Sequence, residues 1–354
     1  MKLLGKQKIL RGTTGDGCEA NRGGMSQSHL VGRRLFIKLL TVPAAVRPAT
    51  LAAQQLKKVH RVGYVALSGR TPWIDGMIDG LRELGYVEGT NLHIEWRLAS
   101  GKQELLADMA NDLVRLNLDL IIAAGNTVAS IVKSKTTNRP IVAVATHDGV
   151  GAGLYNSLKK PGENITGVES LAPELDGKRV QFLREIVPGL SRLCVLFNPL
   201  DQGARVHPPL ILAAASRFGI NVDLVEVKFP SEFDTAFNKV QELKPDGLLS
   251  VADPITLGER KRIVDFCSDK RIPNAHEIRE FVIAGGLLSY GASFYGIWHR
   301  SAYYIDKILK GAKPGDLPVE LPTVFELAIN VRSAKALGLA IPASLASTAD
   351  ALIE

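Results

Sequence analysis

The sequence predicts an α/β protein built of two parallel-sheet lobes, and three observations carry that prediction. Short runs rich in Val, Ile and Leu recur from Val59 onward. Helical periods of ten or more residues separate them. Gly, Asn and Pro punctuate the junctions. Continuous apolar strands alternating with helices describe right-handed βαβ units whose sheets are covered on both faces. At 354 residues the chain has room for two such units, since domains run to roughly 100–200 residues each.

The strands are expected at VGYVAL (62–67), LHIEW (92–96), LDLIIAAG (118–125), IVAVAT (141–146), RLCVLFN (192–198), VDLVEV (222–227) and DGLLSVAD (246–253). The helical periods between them are PWIDGMIDGLRELG, ELLADMANDLVRL, TVASIVKSK, VQFLREIV, FDTAFNKVQEL and ERKRIVDFC. In LRELGYVEGTNLHIEW (81–96), Met77, Ile78, Leu81 and Leu84 recur at helical spacing, and Gly85 is the left-handed stop that follows. Gly89, Thr90 and Asn91 then turn the chain into the next strand. RFGINVDLVEV (217–227) repeats that punctuation. ITGVES (165–170) reads as a connecting strand, IWHRSAYYIDKILKG as a helix with one apolar face, TVFELAIN (323–330) as another strand-like crossing and SAKALGL as a last helix. The organisation expected is a leader at 1–58, a first lobe of 59–167 plus 290–318, and a second of 168–289 plus 319–354.

Charge placement separates the leader from the rest. The formal net charge is +7, but residues 1–58 hold eleven Lys or Arg against two acids, leaving 32 bases and 34 acids beyond them. A nearly neutral body removes the electrostatic case for a nucleic-acid partner. Hydrophobic content of 46% with 22% charged residues is that of a globular chain. In the leader, Met25 is a candidate start. GRRLFIKLLTVPAAVRPATLAAQQ follows it with a basic pair, an apolar run and small residues, the order of an export signal, and Arg33-Arg34 fits a twin-arginine type. Arg47, Pro43 and Pro48 interrupt that run, and a basic tail is the other reading. Export places the mature protein in the periplasm or otherwise outside the cytoplasmic membrane.

Enzyme signatures are missing from the sequence. It contains no GxSxG elbow, HExxH, P-loop lysine or CxxC. GVGAGL (149–154) lacks the GxGxxG spacing. No metal, cofactor or catalytic residue is assigned. Cys18 lies in the leader, and Cys194 and Cys267 read as two buried free thiols, with a disulfide as the alternative.

Several stretches resemble the substrate-binding proteins of a bacterial ABC-transporter family that includes tryptophan- and tyrosine-binding components. They are LRELGYVEGTN, VGAGL (150–154), KPGENITGV (160–168), APELDGKR (172–179), VPGLSRLCVLFNP (187–199), DGLLSVADP (246–254), REFVIAGGLLSYG (279–291), YIDKILKGAKPGDLPVELPTVFELAIN (304–330) and AKALGLAIPASL (334–345). The resemblance implies a type I periplasmic binding fold: two Rossmann-like doubly wound lobes, a three-stranded hinge and a cleft that closes on an amino-acid-like solute. It also implies an ABC permease and ATPase as membrane partners, with the binding component itself a monomer. An enzyme of racemase or esterase type, or a ligand-sensing effector domain, would fit the same bilobal fold, which does not fix function.

Candidate ligand residues sit where strands end, because ligands of open α/β sheets bind at the carboxyl edge. Ser68 follows the first strand, and Trp73 opens the next helix, either stacking on an aromatic solute or packing within its lobe. Asn126 and Thr127 begin a helix whose free amides suit a carboxylate, or they simply cap it. Asp148 would pair with a solute amine or cap the DGVGAGL turn; His147 before it adds a pH-sensitive donor. From the second lobe come Asn198 and Asp253, each before a proline. Glu277, after His276, and Tyr290, at a crossing, complete the set. Against the family pattern, an Asp-Pro pair being usual after this strand, Gly149 replaces the proline and His147 precedes the Asp, and His276-Glu277 replaces an aromatic-glycine pair.

Overall fold

The computed structural model describes residues 58–170 and 173–354; the basic leader, with Arg33, Arg34 and Cys18, lies outside the described residues. The first lobe runs β1 (His60–Ala66), α1 (Ile74–Glu83), β2 (Leu92–Leu98), α2 (Leu106–Arg115), β3 (Leu120–Ala124), α3 (Asn126–Lys135), β4 (Ile141–Thr146) and β5 (Ile165–Glu169). Its sheet has the order β2-β1-β3-β4-β5, with every pairing parallel. The apolar runs that predict strands are buried, β4 along its whole length, as expected of a sheet covered on both faces.

The second lobe runs α4 (Asp176–Ile186), β6 (Arg192–Phe197), α5 (His207–Ser216), β7 (Asn221–Glu226), α6 (Phe233–Leu243), β8 (Gly247–Ser250), α7 (Pro254–Gly258), α8 (Arg260–Asp269), β9 (Asn274–His276), α9 (Arg279–Ile283) and β10 (Leu288–Ala292). The chain then returns to the first lobe in α10 (Phe294–Leu309). It re-enters the second with β11 (Phe325–Asn330), α11 (Val331–Leu337), α12 (Ala343–Thr348) and β12 (Ala351–Ile353). The second sheet has the order β12-β11-β10-β9-β8-β6-β7, parallel except where β10 meets β11. This is the two-lobed α/β architecture that the alternation of strands and helices predicts.

The turn chemistry of the opening motif is visible. Gly85 sits at φ +88° after α1. Asn91 closes the turn, accepting from the Val87 amide at 2.7 Å and donating to the Gly85 carbonyl at 2.8 Å. On the same helix Gly76 and Gly80 let α10 approach its backbone: a Cβ there would lie 2.4 Å from the Tyr295 carbonyl oxygen and 2.7 Å from that of His299. The helix that crosses back from the second lobe is thereby locked onto the first.

Among the described residues the chain passes between sheets three times: after β5, after β10 and before β11. The last crossing leaves the first sheet at Glu320, which pairs with Val168 beside β5. Trp73 and Phe294 share one buried apolar cluster with Ile255 and Leu257 of α7, so the core is continuous across the lobes. Cys194 and Cys267 are buried free thiols.

Candidate functional site

Each sheet reverses its winding once, and the two reversals define the site. In the first sheet β1 leads to β2 on one side and β3 continues on the other. The switch point is therefore between the carboxyl ends of β1 and β3. In the second, β7 and β8 flank β6, so the switch lies between the ends of β6 and β8. Crevices outside such switch points are where doubly wound sheets take ligands. A cavity lined by residues of both lobes joins the two.

The first lobe lines it with Leu67 and Ser68 after β1, Gly125 and Asn126 after β3, and Ala145 near the end of β4 with His147 just beyond it. Trp73, Phe294 and Trp298 add an aromatic wall. The Trp73 ring meets Phe294 at 5.5 Å and Trp298 at 5.9 Å between centroids, and Phe294 stacks on Trp298 at 5.6 Å. The Trp298 indole N–H donates to the Tyr64 hydroxyl at 3.3 Å, so its polar atom is satisfied inside the lobe and its ring is free to pack. The second lobe supplies Asp201, Gly203, Asp253 and Leu257.

A defect in β4 sets the geometry of the first lobe's rim. Its register with β5 shifts between Val144 and Thr146, and Ala145 takes a left-handed φ of 55°. Bulges of this kind re-aim the side chains that follow, and strained backbone of this type clusters at functional sites. Asn126 then fixes the result. Its Nδ2 donates to the His147 carbonyl and its Oδ1 accepts from the His147 amide, both at 2.7 Å. With both ends of its amide used, Asn126 positions His147.

Asp253 is buried at the start of α7 in a reciprocal cap. It accepts from the Thr256 amide at 2.7 Å, and its own amide donates to the Thr256 hydroxyl at 2.8 Å. Its second oxygen accepts from Asn198 Nδ2 at 2.7 Å, a bond that spans the switch point between β6 and β8. Burial, and then the nearby Asp201 carboxylate, push Asp253 up to about 6. Asp201 accepts from the Ala204 amide at 2.9 Å and from the Thr127 hydroxyl of the opposite lobe at 3.0 Å. Ser130 donates to Gln202 at 2.9 Å beside it. These bonds describe two lobes closed on one another.

Of the ten residues singled out in the sequence, Ser68, Trp73, Asn126, Thr127, His147 and Asp253 line the cavity, and Asn198 supports it through Asp253. Glu277 is buried 3.9 Å from His147 Nε2. Tyr290 lies in β10, packed on Phe182 and Phe325. Asp148 stands apart: it is exposed, at φ +42°, and its carboxylate caps the turn by accepting from the Gly151 amide at 3.0 Å. Asp201, Phe294, Trp298 and His207 lie outside the set that the sequence predicts. Phe294 and Trp298 lie one turn apart on α10, a spacing legible once that helix is started at Ser293, whose hydroxyl caps it.

Two facing switch-point crevices, closed over one cavity, define a bilobal solute-binding protein. Residues 61–353 match the model of the ABC transporter substrate binding protein family, and the chain belongs to that family. A tyrosine-binding protein of Clostridioides difficile (strain R20291) is 24% identical over 264 residues, 75% of this chain and 76% of that protein. A Streptococcus pneumoniae ABC domain solved in complex with L-Trp has a TM-score of 0.79 at 26% identity, covering 84% of this chain and all of that one. A conserved domain protein from Vibrio cholerae has a TM-score of 0.78 at 27% identity, over 84% of this chain and 99% of that one. Among the described residues no helix is long and apolar enough to cross a membrane.

Proposed function

We propose that this protein is the extracytoplasmic binding component of an ABC import system and that its solute is an aromatic amino acid, bound without chemical change. One observation carries the reading: an aromatic wall, a helix N-terminus and two acids converge on a single cavity. The amides that open α3, with Ser68, suit a carboxylate. Trp73, Phe294 and Trp298 suit an aromatic side chain. Asp201 and Asp253 suit an ammonium group, whose charge would offset the burial and the Asp201 repulsion that hold Asp253 up. Relatives whose names or bound molecules are tyrosine and L-Trp support the same class of solute. A monomer that delivers this solute to a membrane permease with its ATPase is the corresponding assembly, and the periplasm the corresponding compartment.

The test is a thermal-shift panel of amino acids and small organic acids, with mass spectrometry of whatever the purified protein releases on denaturation. Binding to the folded state alone raises stability by about 2.7 kcal/mol at a hundredfold excess over Kd. L-Trp, L-Tyr or L-Phe should give the largest shift. A panel in which aliphatic or non-amino solutes lead, and aromatic amino acids do nothing, removes the reading.

A further inference from the structure

His147 belongs to the first lobe but its ring is spent on the second. Held by the bulge in β4 and the two bonds from Asn126, it inserts between two second-lobe groups. Its Nδ1 faces His207 Nε2 at 3.4 Å, and its Nε2 faces Glu277 Oε1 at 3.9 Å. The two imidazoles meet edge to face, 5.3 Å between centroids. His207 Nδ1 is in turn 2.9 Å from Asp176 Oδ2, and the other oxygen of Asp176 is paired with Arg179. Asp201 is the remaining charge near His147, whose ring also meets the Gly203 backbone. Apart from the half-buried Asp201, all of these side chains are buried, and neither oxygen of Glu277 has a hydrogen-bond partner among the described residues.

Counting protons along this file gives a mismatch. The Asp176–His207 and His207–His147 contacts are within hydrogen-bond reach and each takes one proton between its heteroatoms, while His147 Nε2 and Glu277 Oε1, at 3.9 Å, attract one another only if that pair carries a third. Two neutral imidazoles supply two. The third has to come from solvent, or a buried carboxylate is left facing a lone pair, which is costly away from water. With the lobes apart, His147 and Glu277 would each be hydrated and the third proton not required. We propose that this file is an interlobe latch that takes up one proton from solvent as the lobes close, so that the protein holds its solute more tightly in acid than at neutral pH. Burial, the largest influence, and then His207 hold the His147 ring below the ordinary imidazole value, against the raising influence of Glu277 and Asp201. The added proton therefore belongs to the file as a whole.

The experiment is calorimetric titration near pH 7.5 in two buffers of different ionisation enthalpy. L-tryptophan is the probe, and in that choice alone the test rests on the aromatic-amino-acid reading. Asp253, held up to about 6, is largely ionised there before binding. The parent should take up close to one proton per site, and by linkage its affinity should fall about tenfold per pH unit above neutrality. Glu277→Gln, which keeps the shape and lies outside the cavity lining, should take up close to none and bind with a flatter pH profile. No uptake in the parent, or equal uptake in the variant, overturns the latch. If L-tryptophan gives no heat, the solute reading fails and the latch is read from small-angle scattering of the unliganded chain. Its radius of gyration should then shrink from about pH 8 to pH 5.5 in the parent and not in Glu277→Gln, and a parent that does not respond overturns the latch.

Discussion

The two faces of the cleft are built from different chemistry. The first lobe offers rings, a hydroxyl and helix amides: Trp73, Phe294, Trp298, Ser68 and the start of α3. The second offers acids: Asp201 and Asp253 at the cavity and Glu277 behind His147. Rings and amides recognise shape and a carboxylate with little dependence on pH. Buried acids recognise a cation, and they do so strongly only after water has been expelled. On the proposed reading, separating the two across a hinge means that neither lobe alone completes the site, so selectivity and closure would be one event.

The largest effect should follow from damage to the acidic side. Asp253→Asn removes a buried partner of the ammonium and should weaken L-tryptophan binding by ~2–5 kcal/mol, with far-UV circular dichroism unchanged. Isothermal titration of Asp253→Asn beside Asp201→Asn ranks the two acids; parent-like affinity in both would erase the contrast between the lobes.

Damage to the aromatic side should cost less. Trp73→Phe keeps a ring against Phe294 but shortens the surface offered to the solute, and an aromatic contact is worth about 0.5–1.5 kcal/mol beyond its area. Competition binding should show that loss for L-tryptophan and a smaller one for an aliphatic amino acid. Equal losses for both would mean that the wall is only core.

A pH experiment sharpens the comparison further. Glu169, at the end of β5, is the acid of the first lobe that burial holds up to about 7, against the lowering influence of its bond from the Gly149 amide. Its folded value lies above its unfolded one. The stability it contributes is therefore fully present below the unfolded range near 4.5 and is lost as pH rises through 7. Glu169→Gln should melt with less pH dependence than the parent between about pH 5 and 8. The difference should be on the order of 2–4 °C, roughly that of 1 kcal/mol. Identical slopes would mean that Glu169 ionises as freely as an exposed acid.

Asp148→Asn should do least. Asparagine keeps both the left-handed backbone and the turn cap, so affinity and melting point should stay within about 0.5 kcal/mol of the parent. A large loss of affinity would put Asp148 back at the solute.

These residues also show how far the sequence could be read. Strands such as IVAVAT show as continuous apolar runs and helices such as FDTAFNKVQEL carry a helical period in the order of residues, and both appear where those signals put them. Helix α5 does not. HPPLILAAAS is apolar nearly all round and has two prolines directly after His207, so it shows no stripe to mark a helix and nothing in the order of residues points to His207 at its start. Asp148 looks like a ligand residue in the sequence because it is an acid following a strand. Along a strand the facing alternates, so a single bulged residue decides which neighbour points at the cleft. The bulge at Ala145 gives the cleft to His147 and leaves Asp148 outside. Asp201 lies in a loop, where neither period applies.

The central claim is that the acidic face of the second lobe requires an amine on the solute. Its direct test is calorimetric titration of the parent with L-tryptophan and with indole-3-propionate, which has the same ring and carboxylate and no amine. L-tryptophan should bind and the analogue should lose ~2–5 kcal/mol, the cost of burying the acids without their partner. An analogue that binds as tightly as the amino acid would contradict the account.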